Sequence, residues 1–307
     1  MGTTWHVTYL PPPQIAPSSE IQKEIDNILG EINLSMSTYL DSSEITRFNL
    51  NRPNQWFDVS EGFFEVIQTA LTIGEASDGA YDVTVAPLVN LWGFGPDTGN
   101  ESLPEQSELT SLLQNTGQDK LRLHEKRLQL RKSAKLSLDF SSIAKGYGVD
   151  RVADWLGSLG VVDFLVEVGG EMRLQGNSPR ASPWRIAIEQ PDNTIGSIAA
   201  ALSLSDKAVA TSGDYRNYFE VAGKRYSHTI DPRTGYPVEH DLVSVTVVHS
   251  RAMIADGWAT AIMVMGAERG MTVALEKGLA VYFIRRRQGE YSASYSPEFE
   301  NYLESSK

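Results

Sequence analysis

Residues 164–176 read FLVEVGGEMRLQG. Phe164–Val168 and Met172–Leu174 are rich in β-forming residues. The Gly169-Gly170 pair between them suggests a hairpin or a close approach of backbone. It is not a G-x-G-x-x-G fingerprint, so nothing here points to a Rossmann dinucleotide site. Working outward, short β runs recur at Trp184–Glu189, Ile198–Leu204, Ala208–Thr211 and Tyr218–Val221, and again at 242–249 and 279–285. Helical spacing is interspersed among them without steady βαβ alternation. That pattern favours an α+β fold, with mostly antiparallel sheets flanked by helices, over a doubly wound parallel sheet.

The helical segments carry their own start signals. Ser18 or Ser19 precedes a run in which Ile21, Ile25, Ile28 and Ile32 share one face. Ser60 precedes Phe63, Phe64, Ile67, Leu71 and Ile73 in the same relation. A strand is expected over residues 4–9, stopped by Pro11-Pro12-Pro13. MSTYLDSSEITRFN, residues 36–49, reads as a polar turn region, and 98–108 as a polar linker followed by a short helix. The strand pair Leu121–Leu123 and Leu128–Leu130 comes next, then a helix starting around Ser142. Near the C-terminus one helix is expected around 253–266 and another near 267–277.

Length and composition bound the function. The 307 residues suffice for one large domain or about two, with 41% hydrophobic residues to build a core. Thirty-nine acidic against 27 basic residues give a net charge of −12, with no basic run. Nucleic acid and an anionic membrane surface are therefore poor partners. A phosphorylated ligand must be received by local devices: a bound cation, helix N-termini or backbone N–H groups. With no cysteine, disulfides, thiolate metal sites and cysteine nucleophiles are excluded. No apolar run reaches the ~18 residues of a membrane span. The N-terminal MGTTWHVTYLPPP has no charged or apolar leader pattern, so the chain is either cytosolic or a segment from which a signal has been removed.

Five stretches hold the candidate chemistry. In LDFSSIAKGYGVD, Asp139 ends a strand, Ser142 opens a helix and Lys145 lies one turn in. Such a junction receives phosphate well, with Asp139 free to bind a ring N–H or hydroxyl and Lys145 a phosphate; it is equally a capped helix with a solvated lysine. In IADGWATAIMVM, Asp256 and Thr260 share a helix face one turn apart. They are either satisfied core polar groups or two oxygen ligands for a hard cation such as Mg²⁺. In YSHTIDPRTGYPV, Asp231-Pro232-Arg233-Thr234-Gly235 is a turn, and His228 before it is either structural or a general base. VEVGGEMRLQG is the Gly-Gly segment above. In GAYDVTVAPL, Tyr81 beside Asp82, with Trp92 and Tyr39 elsewhere, either sandwiches a planar ring or fills core.

Taken in order, MGTTWHVTY, MSTYLDSSEITRFN, DGAYDVTVAPLVNLWGFG, LDFSSIAKGYGVD, VEVGGEMRLQG, SHTIDPRTGYPV and ADGWATAIMVMG resemble the ApbE family of flavin transferases, from Met1 to about Gly266. The resemblance implies FAD:protein FMN transfer. FAD is split at its pyrophosphate with Mg²⁺ as cofactor, FMN is joined to a Thr or Ser hydroxyl of an acceptor protein, and AMP leaves. It implies FAD contacts at Met1, Tyr39, Ala80, Tyr81, Asp82, Asp139, Lys145 and the backbone near Ile230. It implies Mg²⁺ ligands at the Ser142 carbonyl and the side chains of Asp256 and Thr260, with His228 as base. Phosphoryl transfer suits such a set, because it needs charge neutralisation and an in-line nucleophile more than a covalent group on the enzyme. The expected architecture is a single domain over 1–307, with two intertwined lobes, no clean sequence boundary and FAD in a cleft. The expected location is the periplasmic side of the bacterial inner membrane, lipid-anchored in a precursor whose signal segment is absent here. Two alternatives remain at this point: Mg²⁺-dependent FAD hydrolysis to FMN and AMP, and FAD binding without turnover.

Overall fold

The computed structural model describes residues 2–95, 103–192, 196–214, 218–221 and 223–304. Met1 and residues 98–102 of the expected 98–108 linker lie outside them. The chain divides into two compact units, each discontinuous in sequence: Met1–Gly30, Lys145–Tyr215 and Asp241–Lys307 form the first, and Glu31–Ala144 with Arg216–His240 the second.

The first unit is built on a seven-stranded sheet. Its strands are β1 (Trp5–Tyr9), β5 (Phe164–Val168), β6 (Glu171–Gln175), β9 (Lys207–Gly213), β12 (Leu242–His249), β13 (Ala280–Arg287) and β14 (Glu290–Tyr295), hydrogen-bonded in that spatial order. Every neighbouring pair is antiparallel. The Gly-Gly segment is a hairpin: Val168 pairs with Glu171, leaving Gly169 and Gly170 as a two-residue loop. Their φ values of +62° and +102° are what a tight hairpin turn demands and what residues with a Cβ resist.

β12 is buried along both faces. One face packs Leu174, Val209, Tyr282 and Ile284 against the hairpin of β7 (Trp184–Glu189) and β8 (Ile198–Leu204), and against Phe299 of α8 (Pro297–Glu300). Against the other lies α7 (Ala252–Lys277), which contacts β9 and β12. The two helices expected over this span are there as two segments that meet at a kink at Gly266, where φ is +75°. Next to it in the same unit is α6, which spans Ala144–Ser158. The periodic isoleucines form α1 (Ser18–Met36), with Ile21, Ile25 and Ile32 buried.

The second unit holds β2 (Phe57–Asp58), β3 (Leu121–His124) and β4 (Gln129–Lys132) in the order β2-β4-β3, and the hairpin of β10 (Tyr218–Val221) and β11 (Lys224–Ser227). Around them lie α2 (Glu44–Leu50), α3 (Glu61–Ala76), α4 (Ala86–Leu91) and α5 (Gln106–Asn115). Ser60 caps α3 by accepting the Phe63 N–H, as its sequence position predicts. The polar turn expected over 36–49 instead contains α2, capped by Ser43. Its first residue, Glu44, is buried and accepts hydrogen bonds from the hydroxyls of Ser35 and Ser60. The fold is α+β with mostly antiparallel sheets, as expected.

Candidate functional site

Two helices in the first unit hold each other by carboxylates. Asp150, on α6, is fully buried and accepts the N–H groups of Ala252 and Met253, both at 3.0 Å. These are first-turn N–H groups of α7, which have no partner within their own helix. In return Asp256, on α7, accepts the Gly146 N–H near the start of α6 at 3.0 Å. Arg173 and Arg251 lie 3.1 and 3.2 Å from the Asp150 oxygens, so its charge is paired as well as hydrogen-bonded. Gly146 is required for this crossing, because a Cβ there would run into the Ala252 carbonyl. The sequence therefore fixes where Asp256 points, by a lock at both helix N-termini.

The second Asp256 oxygen faces Lys145, with its ammonium at 3.7 Å. That ammonium is 3.0 Å from one Glu171 oxygen, at the start of β6 just after the Gly-Gly turn. The other Glu171 oxygen is buried with no hydrogen-bond partner. Burial alone would lower the Lys145 pKa, but the charges of Asp256 and then Glu171 outweigh it and hold the lysine charged. Burial first, and then the Asp256 charge, push the Glu171 carboxyl up to about 8. The Lys145 charge is thus matched by Asp256, while Glu171, largely protonated below about pH 8, stands beside them as a neutral carboxyl.

Thr260 lies one turn beyond Asp256. A threonine inside a helix commonly returns its hydroxyl to the carbonyl four residues back. Thr72, Thr110 and Thr272 do so in this chain. Thr260 does not: its hydroxyl is 3.1 Å from the Ser212 hydroxyl of β9. The donors on this side are thus hard oxygens, a carboxylate and a hydroxyl turned off the backbone, beside an orphaned carboxylate oxygen. They fit Mg²⁺, which takes few protein ligands and keeps several waters. Among the described residues no group of three or more His, Cys, Asp or Glu could hold a metal.

In the second unit Ser142 lies in the turn before α6, which starts two residues later than expected, at Ala144. Its hydroxyl is 3.0 Å from that of Tyr81 instead of capping the helix. Asp139 accepts the Ser141 N–H at 2.6 Å. Ala80 and Tyr81 are buried. The Asp82 carboxylate is engaged by the Thr84 N–H, the Thr84 hydroxyl and the Gln118 N–H, and burial pushes its pKa up against those bonds. Tyr39 is 72% exposed, whereas Trp92 is 2% exposed and stacks on Tyr226 at 5.5 Å. Of the aromatics considered for a ring sandwich, Trp92 is therefore core.

His228 follows β11, with its ring edge-on to Phe94 at 6.2 Å. Ile230 is buried beside Trp92 and Leu88, and its backbone bridges Pro237. The turn after it forms as its composition predicts: Asp231 accepts the Gly235 N–H at 2.7 Å, and its carboxylate holds Arg233. Within the first unit the structure brings Lys145, Asp256 and Thr260 together; within the second it joins Tyr81 to Ser142. Sequence reasoning missed Asp150, Glu171 and Ser212. Asp150 and Glu171 lay inside quoted motifs, but nothing in a linear pattern says that a carboxylate reaches another helix.

The sequence pattern of the ApbE family matches residues 1–283. The FAD:protein FMN transferase of Vibrio cholerae is 45% identical over 303 residues, covering 99% of this chain and 90% of that relative. The FAD:protein FMN transferase of Escherichia coli K12 is 38% identical over 311 residues, covering 100% and 88%. The solved structure of the flavin transferase ApbE from Vibrio cholerae superposes with a TM-score of 0.92 at 44% identity, covering 99% of this chain and 96% of that one. The apo form of the Pseudomonas stutzeri flavinyl transferase ApbE gives 0.91 at 39%, covering 98% and 93%. Likeness that extends through every motif and almost the full length of each relative is not that of a shared fold alone, and the chain belongs to the ApbE family.

Proposed function

We infer that this chain is a transferase that moves the FMN portion of FAD onto an acceptor protein, and we propose a Thr or Ser hydroxyl as the attachment point. In that reaction the acceptor oxygen bonds to the FMN phosphorus while the bond from that phosphorus to the bridging oxygen breaks. AMP departs with the bridging oxygen, and the hydroxyl proton goes to His228, the proposed base. Lys145 pairs with a phosphate oxygen. Tyr39, the 80–82 segment, Asp139 and the backbone at Ile230 contribute FAD contacts, as does Met1, outside the described residues. The proposed Mg²⁺ ligands are the Ser142 carbonyl, Asp256 and Thr260. A Mg²⁺ ion supplies Lewis-acid stabilisation of charge on phosphate oxygens, worth several kcal/mol in such reactions.

One observation carries this reading: the Thr260 hydroxyl is directed away from its own helix, beside a carboxylate that the α6–α7 lock holds in place. Pure FAD storage would require neither. We further propose that the protein works at the periplasmic side of the bacterial inner membrane, lipid-anchored, which cell fractionation tests. Among the described residues no helix is long and apolar enough to cross a membrane.

The deciding experiment incubates the chain with FAD and Mg²⁺, with and without a flavin-accepting domain. Covalent flavin on that domain, with AMP formed in equal amount, is expected. Free FMN released at the same rate in both cases would instead identify an FAD hydrolase. No AMP under any divalent cation would leave FAD binding alone.

A further inference from the structure

We propose that Ser212 is a positioning residue for the cation site: it takes the hydroxyl hydrogen of Thr260 and so turns a Thr260 lone pair to the metal. The proposal rests on the reading of Asp256 and Thr260 as ligands and adds a residue which that reading does not contain.

Ser212 lies on β9 opposite Val245 of β12. Alternation along a strand puts Ala208, Ala210 and Ser212 on one face. Ala208 and Ala210 are fully buried, and α7 contacts this strand. Small residues let a helix approach closely, and alanine meets that need at two of the three places. At the third an alanine would serve the packing equally well, so the extra oxygen of Ser212 calls for another explanation.

Its partner supplies one. A hydroxyl that ligates a cation does so through a lone pair, and its hydrogen must then go to an acceptor. The usual acceptor for a helical threonine is the carbonyl four residues back, and bonding there fixes the hydroxyl against its own helix. The Thr260 hydroxyl instead lies 3.1 Å from that of Ser212, where either oxygen can donate; in the proposed arrangement Thr260 does. Ser212 thus leaves the Thr260 oxygen directed off the backbone with its hydrogen already placed. Groups that orient a ligand in this way typically set metal affinity as well as geometry.

The test uses the whole chain and Mn²⁺ alone, with free Mn²⁺ counted from its electron paramagnetic resonance signal. Ser212→Ala is expected to weaken Mn²⁺ binding by about tenfold, with melting unchanged. Ser212→Thr, which keeps the hydroxyl, is expected to bind nearly as the parent does. Ser212→Cys, close in size with a weak acceptor, reads the same bond if the alanine variant melts early. Parent-like affinity in the alanine and cysteine variants overturns the proposal, as does a threonine variant no better than alanine. Asp256→Ala and Thr260→Val are measured alongside. If these two bind as tightly as the parent, the metal reading itself fails, whatever Ser212 does.

Discussion

The two oxygens of Asp256 have separate tasks, and substitutions can part them. One accepts the Gly146 N–H, which an amide oxygen accepts equally well; the other faces Lys145 and the proposed cation, where an amide is a poor substitute. Asp256→Asn is therefore expected to melt near the parent while losing about 100-fold or more in FAD-splitting rate, measured as AMP formed. A variant that loses its fold along with its activity would assign Asp256 to structure. Glu171 offers a test by pH. Its carboxyl is raised from an ordinary 4.5 to about 8 by burial and the Asp256 charge. Below about pH 4.5 the folded and unfolded chains both hold this proton, and its stabilising effect is complete. Above that the unfolded chain gives it up while the folded chain keeps it, so stability falls as pH rises through about 8. With a chelator present, the parent's melting temperature should drop from pH 5 to pH 9 more than that of Glu171→Gln; parallel profiles sink the assignment. Asp256 and Thr260 were visible in sequence as a helical pair, but what they face was not. The deciding partners, Gly146, Lys145, Glu171 and Ser212, lie tens of residues away along the chain.

At the scale of elements, the site depends on α6 and α7 each ending its exposed N–H groups on the other's carboxylate. Breaking the pairing at Asp150 leaves two guanidinium groups and two helix N–H groups short of a charge. Asp150→Ala is expected to cost about 3–5 kcal/mol in a denaturant titration. Gly146→Ala tests the crossing differently, since its methyl meets backbone that cannot yield. A loss of about 1–3 kcal/mol, together with weaker Mn²⁺ binding, is expected because the Asp256 carboxylate shifts with its helix. Stability lost without any change in Mn²⁺ affinity would show that the lock serves the fold alone. The strands β5, β7, β8 and β10 and the capped start of α3 were legible to the residue, because alternation, β-branched residues and Ser60 are local signals. α2 was not, for the Ser43 cap and the buried Glu44 sit in a stretch whose polarity reads as a turn. β14 was missed for a related reason: it is a largely exposed edge strand without an apolar face, defined by its pairing with β13.

At the scale of the whole molecule, a net charge of −12 opposes the approach of a substrate that carries a negative pyrophosphate. The composition already implied that attraction must be local, and the charged groups found at the candidate site agree: below about pH 8 the one ammonium is matched by the Asp256 carboxylate while Glu171 holds its proton, so without a cation that cluster has no net positive charge to draw in phosphate. Long-range repulsion is screened over about 10 Å at 0.1 M salt, whereas a buried contact is screened much less. Raising NaCl from about 20 to 200 mM at saturating Mg²⁺ should therefore speed FAD capture and lower its apparent KM by roughly two- to threefold, with kcat little changed. An uncharged osmolyte at matched osmolality should do neither. The sign is the informative part. If KM climbs with salt instead, FAD is being drawn in by a positive surface that the net charge conceals, and the cation would not be the principal means by which this acidic chain receives an anionic dinucleotide.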